Sequence, residues 1–271
     1  MGRSPSKPLR VALVQNSAGA DTSANLTGVE RLLGRLPETD IVVLPEVFSL
    51  RGSDADYRNT AEPLADSPPI STVARWAKDM RAWFIAGSVM EMSRGRVFNT
   101  CALIDRRGNM RASYRKIHLF EARLDDGRII READTYSAGS KPVMVDIEGW
   151  RAGVSICYDL RFPELFRHYS RRGAHLLFIP SNFTQRTGRD HWEILVRARA
   201  IENQCFVVAP NQCGRNSKTG VATHGHSMIA GPWGEVLASA GGRQTVLTAT
   251  LDPSELHAVR SHIPALQHRV L

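Results

Sequence analysis

The sequence predicts an α/β layered sandwich in one domain, two β-sheets covered by helices. Three observations carry this. Short apolar strands alternate with amphipathic helices along the whole chain. Each half runs strand, helix, strand, and then a set of sequential strands. No stretch rich in Pro, Gly and Ser separates the halves, and no sequence repeat is visible.

The elements follow in order from residue 11. Residues 11–15 are a first buried strand, and the next segment puts Leu26, Val29, Leu33 and Leu36 on one helical face with Asp21 as cap. Residues 41–44 are a second strand, and helical spacing returns at Val73, Trp76, Ala77 and Met80 behind Pro69. Residues 83–90 and 97–104 read as strands, and Arg107-Gly108-Asn109 turns the latter into 110–115 as a hairpin. Residues 116–142 show no clean period and are rich in charge and glycine, which marks a functional or disordered loop. Strands resume at 143–147 and 151–156. A helix then carries Phe162, Leu165, Phe166 and Tyr169 on one face and ends at Gly173. A strand at 176–179 precedes a helix at 191–203 that turns Trp192, Leu195, Val196 and Ala200 inward. Residues 205–211, 226–230, 235–240 and 245–251 complete a largely β C-terminal half.

Composition excludes several classes. A hydrophobic fraction of 42% over 271 residues supports a buried core. The longest apolar runs, 174–180 and 205–210, fall well short of the roughly 18 residues that span a bilayer. Residues 1–8 are polar and basic and are expected to be flexible, and the apolar run after them is too short for a signal peptide. Met1-Gly2 with Ser6 formally fits a short myristoylation pattern of little weight. A cytoplasmic protein without a membrane partner is expected. The four cysteines form no CxxC pair, which fits reduced thiols. A net charge of +8 invites a nucleic-acid reading. The basic residues are dispersed or interleaved with acids, as in 164–172 and 197–202, so no nucleic-acid partner is expected. A basic surface suited to anionic small molecules is the preferred reading.

In open α/β sheets, ligands bind beyond the carboxyl ends of the strands. Glu46, Lys116 and Cys157 each follow a predicted strand there: an acid, a cation and a thiol. Free cysteine is mostly protonated at neutral pH and needs a base or a nearby cation. Glu46 could take that proton and later return it to a departing amine. Lys116 could stabilise a tetrahedral intermediate, and the Tyr158 backbone N–H could face the developing oxyanion. Taken singly, an inert buried cysteine, a solvated glutamate and a solvated lysine are the plainer readings.

Three blocks carry a resemblance. Leu44-Pro45-Glu46, the stretch from Tyr114 to Phe120 (YRKIHLF) and the stretch from Ser155 to Glu164 (SICYDLRFPE) resemble the signature blocks of the nitrilase superfamily, in its order and spacing. The resemblance covers nearly the whole chain. It implies a four-layer α-β-β-α sandwich over 9–256 and a Glu46-Lys116-Cys157 triad working through a thioester. It also implies a second active-site glutamate, which Glu132 matches, with Glu121 the weaker candidate and a surface carboxylate the plain alternative. No cofactor or metal is implied. A homodimer is, with the C-terminal tail, 257–271, available to cross between subunits.

Tyr158, where true nitrilases usually have Trp, looks like the omega-amidase and deaminated-glutathione amidase branch, and Asn211-Gln212-Cys213-Gly214-Arg215 looks most like the latter. The expected substrate is a small anionic amide, deaminated glutathione first, with 2-oxoglutaramate or an N-carbamoyl amino acid as alternatives. Arg161 is placed to grip its carboxylate, unless it only pairs with Glu164. Asn182 and Thr184 are expected to line the substrate pocket.

Competing readings lose on specific residues. His224-Gly225-His226 is the only close histidine pair and reads better as a structural junction than as a zinc site. The chain lacks GxSxG, GxGxxG and the phosphate-cradling GxxxxGK[ST] loop. A non-catalytic basic scaffold is supported by the charge alone.

Overall fold

The computed structural model describes residues 5–123, 127 and 129–270. The first half of the expected flexible N-terminus with its Met1-Gly2 pattern, four positions of the 116–142 segment and Leu271 of the tail lie outside the described residues.

The first half of the chain builds one sheet and its helices. Its elements are β1 (Leu9–Gln15), α1 (Thr22–Leu33), β2 (Ile41–Val43), α2 (Asp54–Asn59), α3 (Pro68–Met80), β3 (Trp83–Ile85), β4 (Val89–Ser93), β5 (Arg96–Ile104) and β6 (Met110–Arg115). A short ribbon follows, β7 (Glu121–Arg123) and β8 (Ile129–Arg131). The second half comprises β9 (Val143–Ile147), β10 (Trp150–Val154), α4 (Pro163–Arg171), β11 (Leu176–Phe178), α5 (Gln185–Asn203), β12 (Phe206–Ala209), β13 (Met228–Ala230), β14 (Val236–Ser239), β15 (Thr245–Leu251) and α6 (Pro253–His262).

Both large sheets follow one plan. In the seven-stranded sheet β1, β2 and β3 run parallel, with antiparallel β15 on one side and β5, β4 and β6 beyond the other. In the six-stranded sheet β10, β11 and β12 run parallel between antiparallel β9 and the pair β13 and β14. The two halves therefore match in architecture without a visible sequence repeat.

Strand alternation sorts the side chains into layers. Ala12, Val14, Val42 and Phe84 pack with Val29 of α1 and with Val73 and Trp76 of α3. Their neighbours Val11, Leu13, Ile41, Val43 and Ile85 join the other core, which contains Ala152 and Val154 of the second sheet, and Phe166, Trp192 and Val196 of α4 and α5. The result is the four-layer α-β-β-α sandwich. Each fully buried Val, Leu, Ile or Phe among them stabilises the fold by roughly 1.5–3 kcal/mol. Asp21 caps α1 by accepting from Ala24 N at 3.0 Å, as its position predicts.

The structure departs from the sequence reading in several places. The single strand expected over 83–90 is two, β3 and β4, broken at Ala86-Gly87-Ser88. Gly87 has φ +46°, and a Cβ there would stand 2.0 Å from Pro45 O. The break lets the chain pass the turn after β2, where Val47 N donates to Ser88 Oγ at 3.0 Å. The 116–142 segment holds the β7–β8 ribbon, whose three-residue strands are too short to show a period. Helix α5 begins at Gln185 rather than 191. Helix α2, closed by a capping box between Ser53 and Asp56, has no buried residue and hence no apolar stripe to read. Helix α6 buries only Leu256 and runs through that position.

Candidate active site

Glu46 and Cys157 occupy matching places, each the third residue beyond a parallel strand, after β2 and β10. Lys116 directly follows β6. Gly139 guards that last turn: its N donates to Lys116 O at 2.8 Å, and a Cβ there would meet Arg115 O at 2.2 Å. The topology thus brings Glu46 and Cys157 to one cavity of about 320 Å³, with Lys116 directly behind Glu46, hydrogen-bonded to it at 2.9 Å.

Cys157 opens a short 3₁₀ turn with φ +48°, a strained conformation for a non-glycine residue. Two contacts hold it there. Cys157 N donates to Pro180 O at 2.8 Å. Asp159, fully buried, pins the turn with both oxygens: Oδ2 accepts from Ile156 N at 2.8 Å and from the Tyr114 hydroxyl at 2.7 Å. Its Oδ1 accepts from His118 N at 3.1 Å and from His118 Nδ1 at 2.7 Å. The His118 ring stacks on Phe162 with centroids 3.7 Å apart.

Lys116 is 1% exposed and donates from Nζ to Glu46 Oε1 at 2.9 Å and to Glu132 Oε1 at 2.8 Å. Glu46 Oε1 also accepts from Asn99 Nδ2 at 2.9 Å, and Glu132 Oε2 accepts from Phe120 N at 2.7 Å. Cys157, Glu46 and Asn182 line the same cavity. Burial and the neighbouring Glu46 charge push the Cys157 thiol well above its ordinary range, with Lys116 only partly opposing them. Burial disfavours the charge on Lys116, yet Glu132 and Glu46 outweigh it and hold the ammonium protonated. Burial also raises Glu132, against the pull of Lys116. The resting centre is therefore a neutral thiol beside an ammonium shared by two carboxyl groups.

The other expected residues fall as follows. Glu121 is exposed and paired with Arg131 at 2.9 Å, away from Lys116. Tyr158 lines the cavity, with its ring edge-on to Phe120 and Phe162. Arg161 makes no ion pair with Glu164; its guanidinium lies over the rings of Tyr158 and Phe183, and Nη1 is 3.2 Å from His191 Nδ1. Asn182 and Thr184 also line the cavity, and the Asn182 Oδ1 is buried without a partner among the described residues. Cys101, Cys205 and Cys213 are buried outside its wall, and burial lifts the Cys205 thiol to about 11. His224 and His226 stack with centroids 4.3 Å apart, and among the described residues no three metal-binding side chains come together. Among those residues no helix is long and apolar enough to cross a membrane.

Sequence reasoning missed Asn99, which steadies Glu46, and Arg51, which lines the same cavity. A signal for Asn99 existed: it interrupts the apolar run of β5 with a polar side chain that is 1% exposed. Asn216 and Thr223 of the cavity wall sit in a loop without any such pattern.

The carbon-nitrogen hydrolase family matches residues 10–261. The chain is similar to a deaminated glutathione amidase of Synechocystis sp., at 38% identity over 97% of this chain and 99% of the relative. It is also similar to an omega-amidase of Xenopus tropicalis, at 36% identity over 96% of this chain and 94% of the relative. Among solved structures it resembles Saccharomyces cerevisiae Nit3, described as a member of branch 10 of the nitrilase superfamily, with TM-score 0.89 and 31% identity over the full length of both chains.

Proposed function

The chain belongs to the carbon-nitrogen hydrolase family, in the nitrilase superfamily, and from that premise we propose that Cys157, Glu46 and Lys116 are the catalytic triad with which it hydrolyses deaminated glutathione. The observation that carries the chemistry is one cavity lined by both Cys157 and Glu46, with Lys116 Nζ 2.9 Å from Glu46 Oε1.

In this reading the neutral thiol is the ground state and Glu46 is the general base. As Cys157 Sγ attacks the amide carbon, Glu46 takes the thiol proton and a C–S bond forms. Lys116 Nζ and the backbone N–H of Tyr158 stabilise the oxyanion. Collapse breaks the C–N bond, and Glu46 passes its proton to the departing nitrogen, leaving a thioester. Water then attacks with Glu46 again as base, and the acid leaves as the thiol reforms. Glu132 keeps Lys116 charged and aimed. No metal or cofactor takes part.

The substrate follows from the relatives' names and from the cavity. Arg161 stands four residues beyond Cys157, over two aromatic rings and without an acidic partner among the described residues, a place for the carboxylate of a 2-oxo acyl group. Asn182 and Thr184 line the path for the rest of the molecule. The test is a panel of deaminated glutathione, 2-oxoglutaramate, N-carbamoyl amino acids and neutral amides, followed by amine and carbon dioxide release. Deaminated glutathione is expected to have the highest kcat/KM, and Arg161→Lys to raise KM for carboxylate-bearing amides far more than for neutral ones. A clear preference for 2-oxoglutaramate, or equal kcat/KM for neutral amides, moves the assignment to a neighbouring amidase.

A further inference from the structure

Arg51 carries its guanidinium inside the protein, 1% exposed, on the short run between Glu46 and α2. Arginine is rarely buried without an anion, because desolvating the charge is costly. Every hydrogen bond of this side chain goes to a neutral acceptor: Nε to Ala18 O at 3.0 Å, Nη1 to Cys213 O at 3.0 Å and to Thr223 Oγ1 at 2.8 Å, and Nη2 to Ser17 Oγ at a long 3.3 Å. A guanidinium has five N–H donors. One N–H on Nη2 is thus left without an acceptor among the described residues.

The side chain lines the same cavity as Cys157. The acids on that wall are engaged elsewhere or lie at the surface: Glu46 and Glu132 hold Lys116, and Asp54 and Asp134 are exposed. Burial draws the Arg51 pKa down, and no carboxylate among the described residues restores it. The group is also tied on several sides. Its own N donates to Gly19 O at 2.8 Å, and its side chain is clamped by carbonyls from two separate loops. Donors held in place before the ligand arrives cost little to use.

We infer that Arg51 is a second anion subsite of this cavity, receiving the substrate carboxylate that Arg161 does not hold. The inference rests on the reading of the substrate as an amide with a carboxylate at each end, one on the 2-oxo acyl group and one on the glycine of the leaving amine. Arg161 takes the first and Arg51 the second.

The test compares wild type, R51K and R51M on two amides of one 2-oxo acyl group, one releasing ammonia and one releasing an amine that ends in glycine. The ratio of KM for the glycine-ended amide to KM for the other is expected to rise about tenfold in R51M and less in R51K, whose ammonium keeps the charge but not the fork. An unchanged ratio, with both amides impaired alike or neither impaired, overturns the subsite and leaves Arg51 a tie between loops. A wild-type protein that hydrolyses neither amide removes the functional reading instead. The subsite then stands on calorimetric titration with glutarate: C157A protein is expected to bind it about tenfold more tightly than C157A/R51M, and equal affinities overturn it.

Discussion

The Tyr114 hydroxyl donates to Asp159 Oδ2 across 2.7 Å in a fully buried contact, joining the strand that ends at Lys116 to the turn that opens at Cys157. Both ends of that bond sit within two residues of a proposed catalytic group. Tyr114→Phe is expected to cost about 1–3 kcal/mol of stability, since a buried acceptor loses one donor. Asp159→Asn can no longer satisfy all of its donors, so the two blocks shift apart and kcat falls by roughly 10²-fold. Thermal unfolding and steady-state kinetics on both variants check this. A stable Asp159→Asn protein with unchanged kcat would contradict it.

The nucleophile is tested by cysteine replacement. Cys157→Ala is expected to abolish turnover, while Cys101→Ala, Cys205→Ala and Cys213→Ala keep most of it. Mass spectrometry of a slow-turnover mixture should find the acyl group on the peptide carrying Cys157, and an adduct on any other cysteine removes the mechanism.

The partners of Cys157 should fail in different ways. Glu46→Gln keeps the shape but loses the base, so thioester formation should drop by roughly 10²–10⁴-fold. Lys116→Ala should be at least as severe, because it also leaves Glu46 and Glu132 buried without their shared cation. Single-turnover acylation followed by stopped flow separates the steps. Full activity is expected to survive exhaustive chelation, and a metal requirement would refute the scheme.

Acid should destabilise the fold through His175. This side chain is 3% exposed, and its Nδ1 accepts from Arg151 N at 3.1 Å. Burial, with Arg260 and Arg151 nearby, pulls its pKa down to about 4. The folded state holds it neutral, whereas the unfolded chain binds a proton below about pH 6.5. Its contribution is therefore complete above about pH 6.5 and is lost as pH falls toward 4, a change of about 3 kcal/mol. His224, also drawn down to about 4 by burial and by His226, adds a loss of the same sign. Unfolding midpoints measured between about pH 8 and 4 should decline less in His175→Asn than in wild type.

Assembly is the remaining expectation. We propose a homodimer in which the tail 257–271 reaches the second subunit, and the exposed side chains Ile194 and Ile201 of α5 and Trp233 favour such burial. Light scattering at micromolar concentration should report twice the 30.0 kDa chain mass. A fully active monomer would sink it.

Much of the framework was legible in the sequence because periodicity is local. The stripe through Val29, Leu33, Val73 and Trp76 and the strand runs around Val42 and Val207 encode which face is buried, and the layers follow from that. Glu46, Lys116 and Cys157 could be picked out for the same reason, each being a polar group placed directly after a buried strand. The resemblance favoured Glu132 over Glu121 for the second glutamate, but only the tertiary structure showed which carboxylate meets Lys116. Glu121 and Glu132 lie eleven residues apart in one aperiodic segment, and only the fold of the β7–β8 ribbon turns one outward to Arg131 and the other inward. It alone decided that Arg161 ignores Glu164 for two aromatic faces, and that Arg51 is enclosed by loops from residues 17–19, 213 and 223. Such contacts join residues far apart in the chain, and whether a charge is buried, paired or left open depends on what surrounds it in space, which residue order along the backbone does not specify.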